Sequence, residues 1–136
     1  MEKSFLELHK ALLLCRQECP WTKGQEIEKQ AGEIVSEALE FKEAVENNDV
    51  ENMQEELGDL LMDILLVSVI AEEKGLFTLK GALDEVYEKL KRRTPWVFGD
   101  EQVSSSKEAG KRWKEIKAEE KKVKLNSIKE GGPSNV

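Results

Sequence analysis

Apolar side chains recur along most of this chain at the 3.6-residue period of amphipathic helix, and β-branched runs are scarce. The pattern predicts four or five helices. The first runs from about Ser4 to Cys15, with Phe5, Leu8, Leu12 and Cys15 on one side, and ends in the loop chemistry of Cys19-Pro20-Trp21-Thr22-Lys23-Gly24. The second spans about Ile27 to Glu46 and carries a narrow stripe of Ile27, Ala31, Ile34, Ala38, Phe41 and Val45. Asn47-Asn48-Asp49 breaks the period and offers capping side chains to a third helix, about Val50 to Lys74, with Gly75 placed to end it. Thr78 is placed to cap a fourth, about Leu79 to Arg93, with a core stripe of Leu79, Leu83, Val86 and Leu90. Thr94-Pro95 stops that helix, because proline disfavours helical backbone in the residue before it. Pro95 to Lys107 reads as loop, and a last, highly charged helix from about Glu108 to Leu125 has Trp113, Ile116 and Val123 as its anchors. The expectation is an all-α bundle in a single domain over residues 1–125, followed by a disordered tail over residues 126–136.

The third helix constrains the picture further. From Asp59 through Ala71 its only polar side chains are Asp59, Asp63 and Ser68. A helix that is apolar nearly all round must be surrounded. So few helices struggle to surround it, which predicts that a second copy of the chain covers part of it, as a homodimer or homotetramer.

Composition narrows the function classes. The net charge of −7 argues against a general nucleic-acid binder, which needs a basic field to displace counterions from phosphates. Met1-Glu2-Lys3-Ser4 leads straight into an amphipathic pattern with no signal-peptide core, and the apolar run from Leu60 to Ala71 is too short to span a bilayer. No membrane partner and a cytoplasmic location are therefore expected, with Cys15 and Cys19 as free thiols. The single histidine, His9, disfavours a Cys/His zinc site, the paired Glu-x-x-His of a di-iron bundle, and a Ser-His-Asp set. There is no Walker A loop and no dinucleotide fingerprint.

What remains is carboxylate chemistry. Glu33, Glu37, Glu40 and Glu43 follow spacings of four, three and three on the second helix, and Glu56, Asp59 and Asp63 follow three and four on the third. Glu33 and Glu43 fit a solvated face. Asp59 and Asp63 interrupt a run with no free side to turn to water, and a buried ionised aspartate needs a cation, an arginine or a proton. The neighbouring face of the second helix offers acids rather than bases, so a hard divalent cation with all-oxygen ligation, Mg²⁺ or Mn²⁺, is the expected partner.

Glu37-x-x-Glu40 followed by Glu56-x-x-Asp59, the latter inside Glu55-Glu56-Leu57-Gly58-Asp59-Leu60-Leu61, resembles the metal motif of the all-α NTP pyrophosphatases. Three further segments resemble the MazG branch: Cys19-Pro20-Trp21 followed by Gln25; Lys89-Leu90-Lys91-Arg92-Arg93-Thr94-Pro95-Trp96-Val97-Phe98; and Trp113-Lys114-Glu115-Ile116-Lys117. They occur in the family's order across residues 19 to 117. Thr22, Thr94, Trp96 and Ser36 depart from the family pattern, and they touch the loop and nucleotide side rather than the four acids. The resemblance implies hydrolysis of an NTP or dNTP to the monophosphate and pyrophosphate. It assigns Glu37, Glu40, Glu56 and Asp59 to Mg²⁺; Asp63 lies outside that motif and is expected as an outer ligand or supporting group. It further assigns Lys89 and Arg93 to phosphate contact, Trp113 to base stacking and Lys117 to phosphate. The rival readings are a dUTP/dCTP or phosphoribosyl-ATP pyrophosphatase of the same superfamily, or a non-catalytic helical interaction module.

Overall fold

The computed structural model describes residues 1–131, and every regular element among them is helical. The order is α1 (Glu2–Glu18), α2 (Pro20–Lys23), α3 (Ile27–Glu46), α4 (Val50–Glu73), α5 (Leu79–Arg93), α6 (Pro95–Phe98) and α7 (Ser106–Glu130). The all-α expectation holds, and the periodicity located α3, α4 and α5 closely. The chain falls into two compact units, Met1–Ala82 and Leu83–Val136.

In the first unit α3 and α4 pack along one another as a hairpin, and α1 packs on α4 and α2. The hairpin turn is built from local chemistry. Asn48 adopts a left-handed φ of 54°, a conformation asparagine tolerates better than most residues. The Asp49 carboxylate then accepts the Asn52 amide at 3.1 Å, satisfying one of the orphan donors at the start of α4. At the far end of the pair Glu26 and Lys74 form an ion pair, so the N-terminus of α3 meets the C-terminus of α4 and the helices run antiparallel. Gly75 takes φ +66° just beyond α4, as its position predicted. The Thr78 hydroxyl accepts the Gly81 amide at 2.9 Å and opens α5.

The core of this unit lies under α4, where Leu65, Leu66, Val69, Ile70 and Ala71 are buried with Leu12 of α1 and Ala44 of α3. Full burial of side chains such as Leu65 and Ile70 stabilises a fold by about 1.5–3 kcal/mol each. Arg16 ties the rest down. Its Nε donates to both oxygens of Glu73 at 3.0 and 2.9 Å, while its Nη1 donates to the carbonyls of Thr22, Lys23 and Gln25. Those carbonyls close the loop around α2, so the Cys19-Pro20-Trp21 segment is architecture: Gln25 Nε2 also reaches back to the Trp21 carbonyl at 2.9 Å.

In the second unit Ile116 of α7 is the buried apolar residue among the described residues. Ser105 caps α7 by accepting the Glu108 amide at 3.1 Å, and the Glu108 carboxylate accepts from the Ser104 amide and hydroxyl at 2.8 and 2.6 Å. This reciprocal arrangement is a capping-box variant.

Several expectations are corrected. Pro20–Lys23 and Pro95–Phe98 form short helices rather than loop, each with proline at its start, where the missing N–H costs nothing. α7 begins at Ser106 and continues through residues 126–130, which the sequence placed in a disordered tail; residues 132–136 of that tail lie outside the described residues. Cys15 and Val123 are exposed rather than packed. The stripe proposed for α3 is displaced by one position at every second step. Ile27, Ile34 and Phe41 are half-buried as expected, but the intervening inward positions are Gln30, Glu37 and Ala44 instead of Ala31, Ala38 and Val45. The α5 stripe is also not a core: Leu83, Val86 and Leu90 are exposed, with Leu79 half-buried. The expectation that so few helices would leave α4 incompletely surrounded does hold, since Leu57, Leu61 and Ile64 on successive turns remain exposed.

Candidate functional site

The acidic cluster lies midway along the α3–α4 pair and follows from the antiparallel register. Glu37 faces α4 from α3, while Glu56 and Asp59 share one face of α4 one turn apart. Each of the three offers a carboxylate oxygen within 4.8 Å of the others, a separation a single metal ion could bridge. All three are half-buried.

Their electrostatics are those of a site lacking a counter-charge. The Glu37 carboxyl is pushed up to about 7, first by burial, then by a hydrogen bond with Glu56 and by the charges of Glu40, Glu56 and Asp59. Glu56 is also raised, by burial and by Glu40 and Asp59, against a hydrogen bond from Glu37 that acts the other way. The groups acting most strongly on Glu37 are therefore all acids. One oxygen of Glu37, Oε2, is buried with no hydrogen-bond partner. An orphaned acceptor amid like charges is costly unless a cation completes it, and this donor set fits a hard divalent ion.

Glu40 sits at the solvent edge of the cluster, exposed but close enough for its charge to raise both Glu37 and Glu56. Asp63 lies one turn further along α4, is only 8% exposed, and is raised by burial and by the charges of Glu33 and Asp59. It adjoins the three rather than joining them. Glu33 is exposed, as the sequence suggested, yet its charge reaches Asp63, an influence that spacing within one helix did not reveal.

The residues singled out on the other side of the chain fall in the second unit. Lys89 and Trp113 line one open groove of about 550 Å³ with Leu83, Val86, Tyr87 and Leu90. The Arg93 guanidinium lies over the Trp113 ring, 5.5 Å from its centroid. Arg93 is engaged by Glu120, to which its Nε and Nη2 donate at 3.1 and 2.8 Å, and Arg92 donates to the same carboxylate. Lys117, one turn beyond Trp113, is exposed. Glu120 had no signal in the sequence, because a partner 27 residues away in the chain leaves no periodic trace.

A family model describing the MazG nucleotide pyrophosphohydrolase domain matches residues 25–98, which carry all four acids of the motif. The chain belongs to the MazG family. Among curated relatives, the nucleoside triphosphate pyrophosphohydrolase/pyrophosphatase MazG of Thermotoga maritima is 38% identical over 109 residues, covering 80% of this chain and 41% of the relative. The nucleoside triphosphate pyrophosphohydrolase of Escherichia coli K12 is 35% identical over 106 residues, 78% of this chain and 40% of the relative. The chain thus spans less than half the length of these MazG relatives. The crystal structure of a mazG-related protein from Thermotoga maritima superposes with a TM-score of 0.72 at 38% identity, covering 82% of this chain and 97% of that one. No helix among the described residues is long and apolar enough to cross a membrane.

Proposed function

We propose that this MazG-family chain is a Mg²⁺-dependent nucleoside triphosphate pyrophosphohydrolase, converting an NTP or dNTP to the monophosphate and pyrophosphate. The observation that carries the reading is the convergence of Glu37, Glu56 and Asp59 within 4.8 Å, with Glu37 Oε2 buried and unpartnered. Glu37, Glu40, Glu56 and Asp59 would hold the ion, with Asp63 behind them and Mn²⁺ as a substitute. When bound, a divalent cation neutralises polyphosphate charge and favours attack by water on a phosphorus centre. The chain's own contribution is to hold these carboxylates on two packed helices and to exclude arginine and lysine from among them. Lys89, Arg93, Trp113 and Lys117 are the proposed substrate-binding residues.

The working state is proposed to be a homodimer or homotetramer. Supporting this, α3 presents a second apolar face at Val35 and Leu39, and α4 leaves Leu57, Leu61 and Ile64 exposed. Exposed apolar residues gathered on adjoining turns mark an association surface more often than scattered ones do.

The test is a pyrophosphate-release assay over the common NTPs and dNTPs, with and without Mg²⁺, using wild type and Glu56→Ala. Metal-dependent release that Glu56→Ala abolishes is expected. Restriction to dUTP, dCTP or phosphoribosyl-ATP would move the chain to a sister activity. No release from any nucleotide would point instead to a non-catalytic helical module.

A further inference from the structure

The guanidinium of Arg93 does not stand free. The Arg93 side chain is 14% exposed, its guanidinium makes two bonds to Glu120 and rests over Trp113, and Arg92 pairs with the same carboxylate. The two arginines hold the Glu120 carboxyl down to about 2, so it stays ionised at any working pH. Glu120 binds Arg93 through Nε and Nη2, the lateral edge of the guanidinium, and leaves the Nη1 donors for another acceptor.

From this arrangement we infer that Glu120 is a positioning residue for nucleotide binding, fixing Arg93 over Trp113 so that a phosphate donor and a stacking ring are set before the substrate arrives. The inference rests on the proposed roles of Arg93 and Trp113 as substrate-binding residues. An arginine left to sample its rotamers must be ordered on each binding event, whereas one already locked by a carboxylate loses little freedom then. The same lock holds the guanidinium over the Trp113 ring, so the cation and the aromatic surface are ordered together.

The experiment compares wild type, Glu120→Gln, Glu120→Asp and Glu119→Gln for KM and kcat in the pyrophosphate-release assay, with thermal melts alongside. Glu119 serves as the control because it is an exposed acid on the same helix that, among the described residues, pairs with Arg112 at 3.7 Å rather than with Arg92 or Arg93. Glu120→Gln is expected to raise KM roughly fivefold with kcat at saturation within twofold, the signature of lost binding rather than lost chemistry. Glu120→Asp, which keeps the charge, should recover part of the increase, and Glu119→Gln should leave KM unchanged. In a version whose only tryptophan is Trp113 (Trp21→Phe with Trp96→Phe), Glu120→Gln should also change the emission of the ring. A merely structural role predicts lower kcat with KM unchanged, whatever the melting temperature, and that result overturns the inference. So does an active, folded Glu120→Gln protein with wild-type KM. A wild-type protein that releases no pyrophosphate overturns the hydrolase reading and this inference with it, which separates the two failures.

Discussion

Replacing Glu37 with glutamine should stabilise the metal-free protein while removing its response to Mg²⁺. Burial and three neighbouring acids raise the Glu37 carboxyl to about 7, above an ordinary value of 4.5. A group whose folded pKa lies above its unfolded one supports the fold below the unfolded value. That support is lost as pH rises through the folded value, here between about 4.5 and 7. Each pH unit across that window corresponds to roughly 1.4 kcal/mol for a fully buried group. Solvent screening at a half-open cluster brings the whole effect to about 1–2 kcal/mol at pH 8. Glutamine keeps the shape and one acceptor but never ionises. In EDTA at pH 8, Glu37→Gln should therefore melt about 3–6 °C above wild type, and the gap should close as pH falls toward 4.5. Adding Mg²⁺ at pH 8 should raise the wild-type melting temperature and leave the variant nearly unmoved. Circular dichroism melts across pH with and without the ion read both effects. A variant less stable than wild type at pH 8 in EDTA, or one that responds equally to Mg²⁺, would refute the reasoning.

Other outcomes follow from the same structure. Arg16→Ala strands the carbonyls of Thr22, Lys23 and Gln25 and unpairs Glu73, and should cost about 2–4 kcal/mol by denaturant titration. Leu61→Lys places a charge on the exposed apolar face of α4 and should lower the mass observed by light scattering without lowering monomer helicity. Glu120, held down to about 2 by Arg93 and Arg92, contributes stability that is present above its unfolded pKa and lost as pH falls through the folded one. The destabilisation of Glu120→Gln relative to wild type, seen in thermal melts, should therefore shrink between about pH 4.5 and 2.

Much of this molecule was legible in local chemistry. Asp49, Gly75 and Thr78 carry their capping and turn roles wherever they stand, so the limits of α3, α4 and α5 followed from the chain. The acids were legible because like charges inside an apolar run need an explanation, and Glu37, Glu56 and Asp59 do converge. The inner face of α3 departs from its apolar pattern at the same place. Hydrophobic periodicity places apolar residues inward, but Gln30 and Glu37 take inward positions and displace alanines outward. Gln30, 1% exposed, is held by a bond from its Nε2 to Gln25 at 3.0 Å. The long reach of α7 leaves little signal because a helix rich in lysine and glutamate lacks an apolar stripe to follow, although Ser105-x-x-Glu108 is a readable start. The exposed stripe of α5 resembles a core stripe in sequence because periodicity identifies an apolar face without saying what covers it. The partnership of Arg93 with Glu120 is tertiary and left no local trace.

Direct titration with Mn²⁺, followed by the loss of the free-ion electron paramagnetic resonance signal, addresses the acidic cluster itself without reference to any substrate. Saturable uptake is expected in the wild-type protein, abolished by Glu56→Ala and unaffected by Glu43→Ala, an acid outside the cluster. Equal uptake by wild type and Glu56→Ala, or none by either, would contradict the claim that Glu37, Glu56 and Asp59 are gathered to hold a divalent ion.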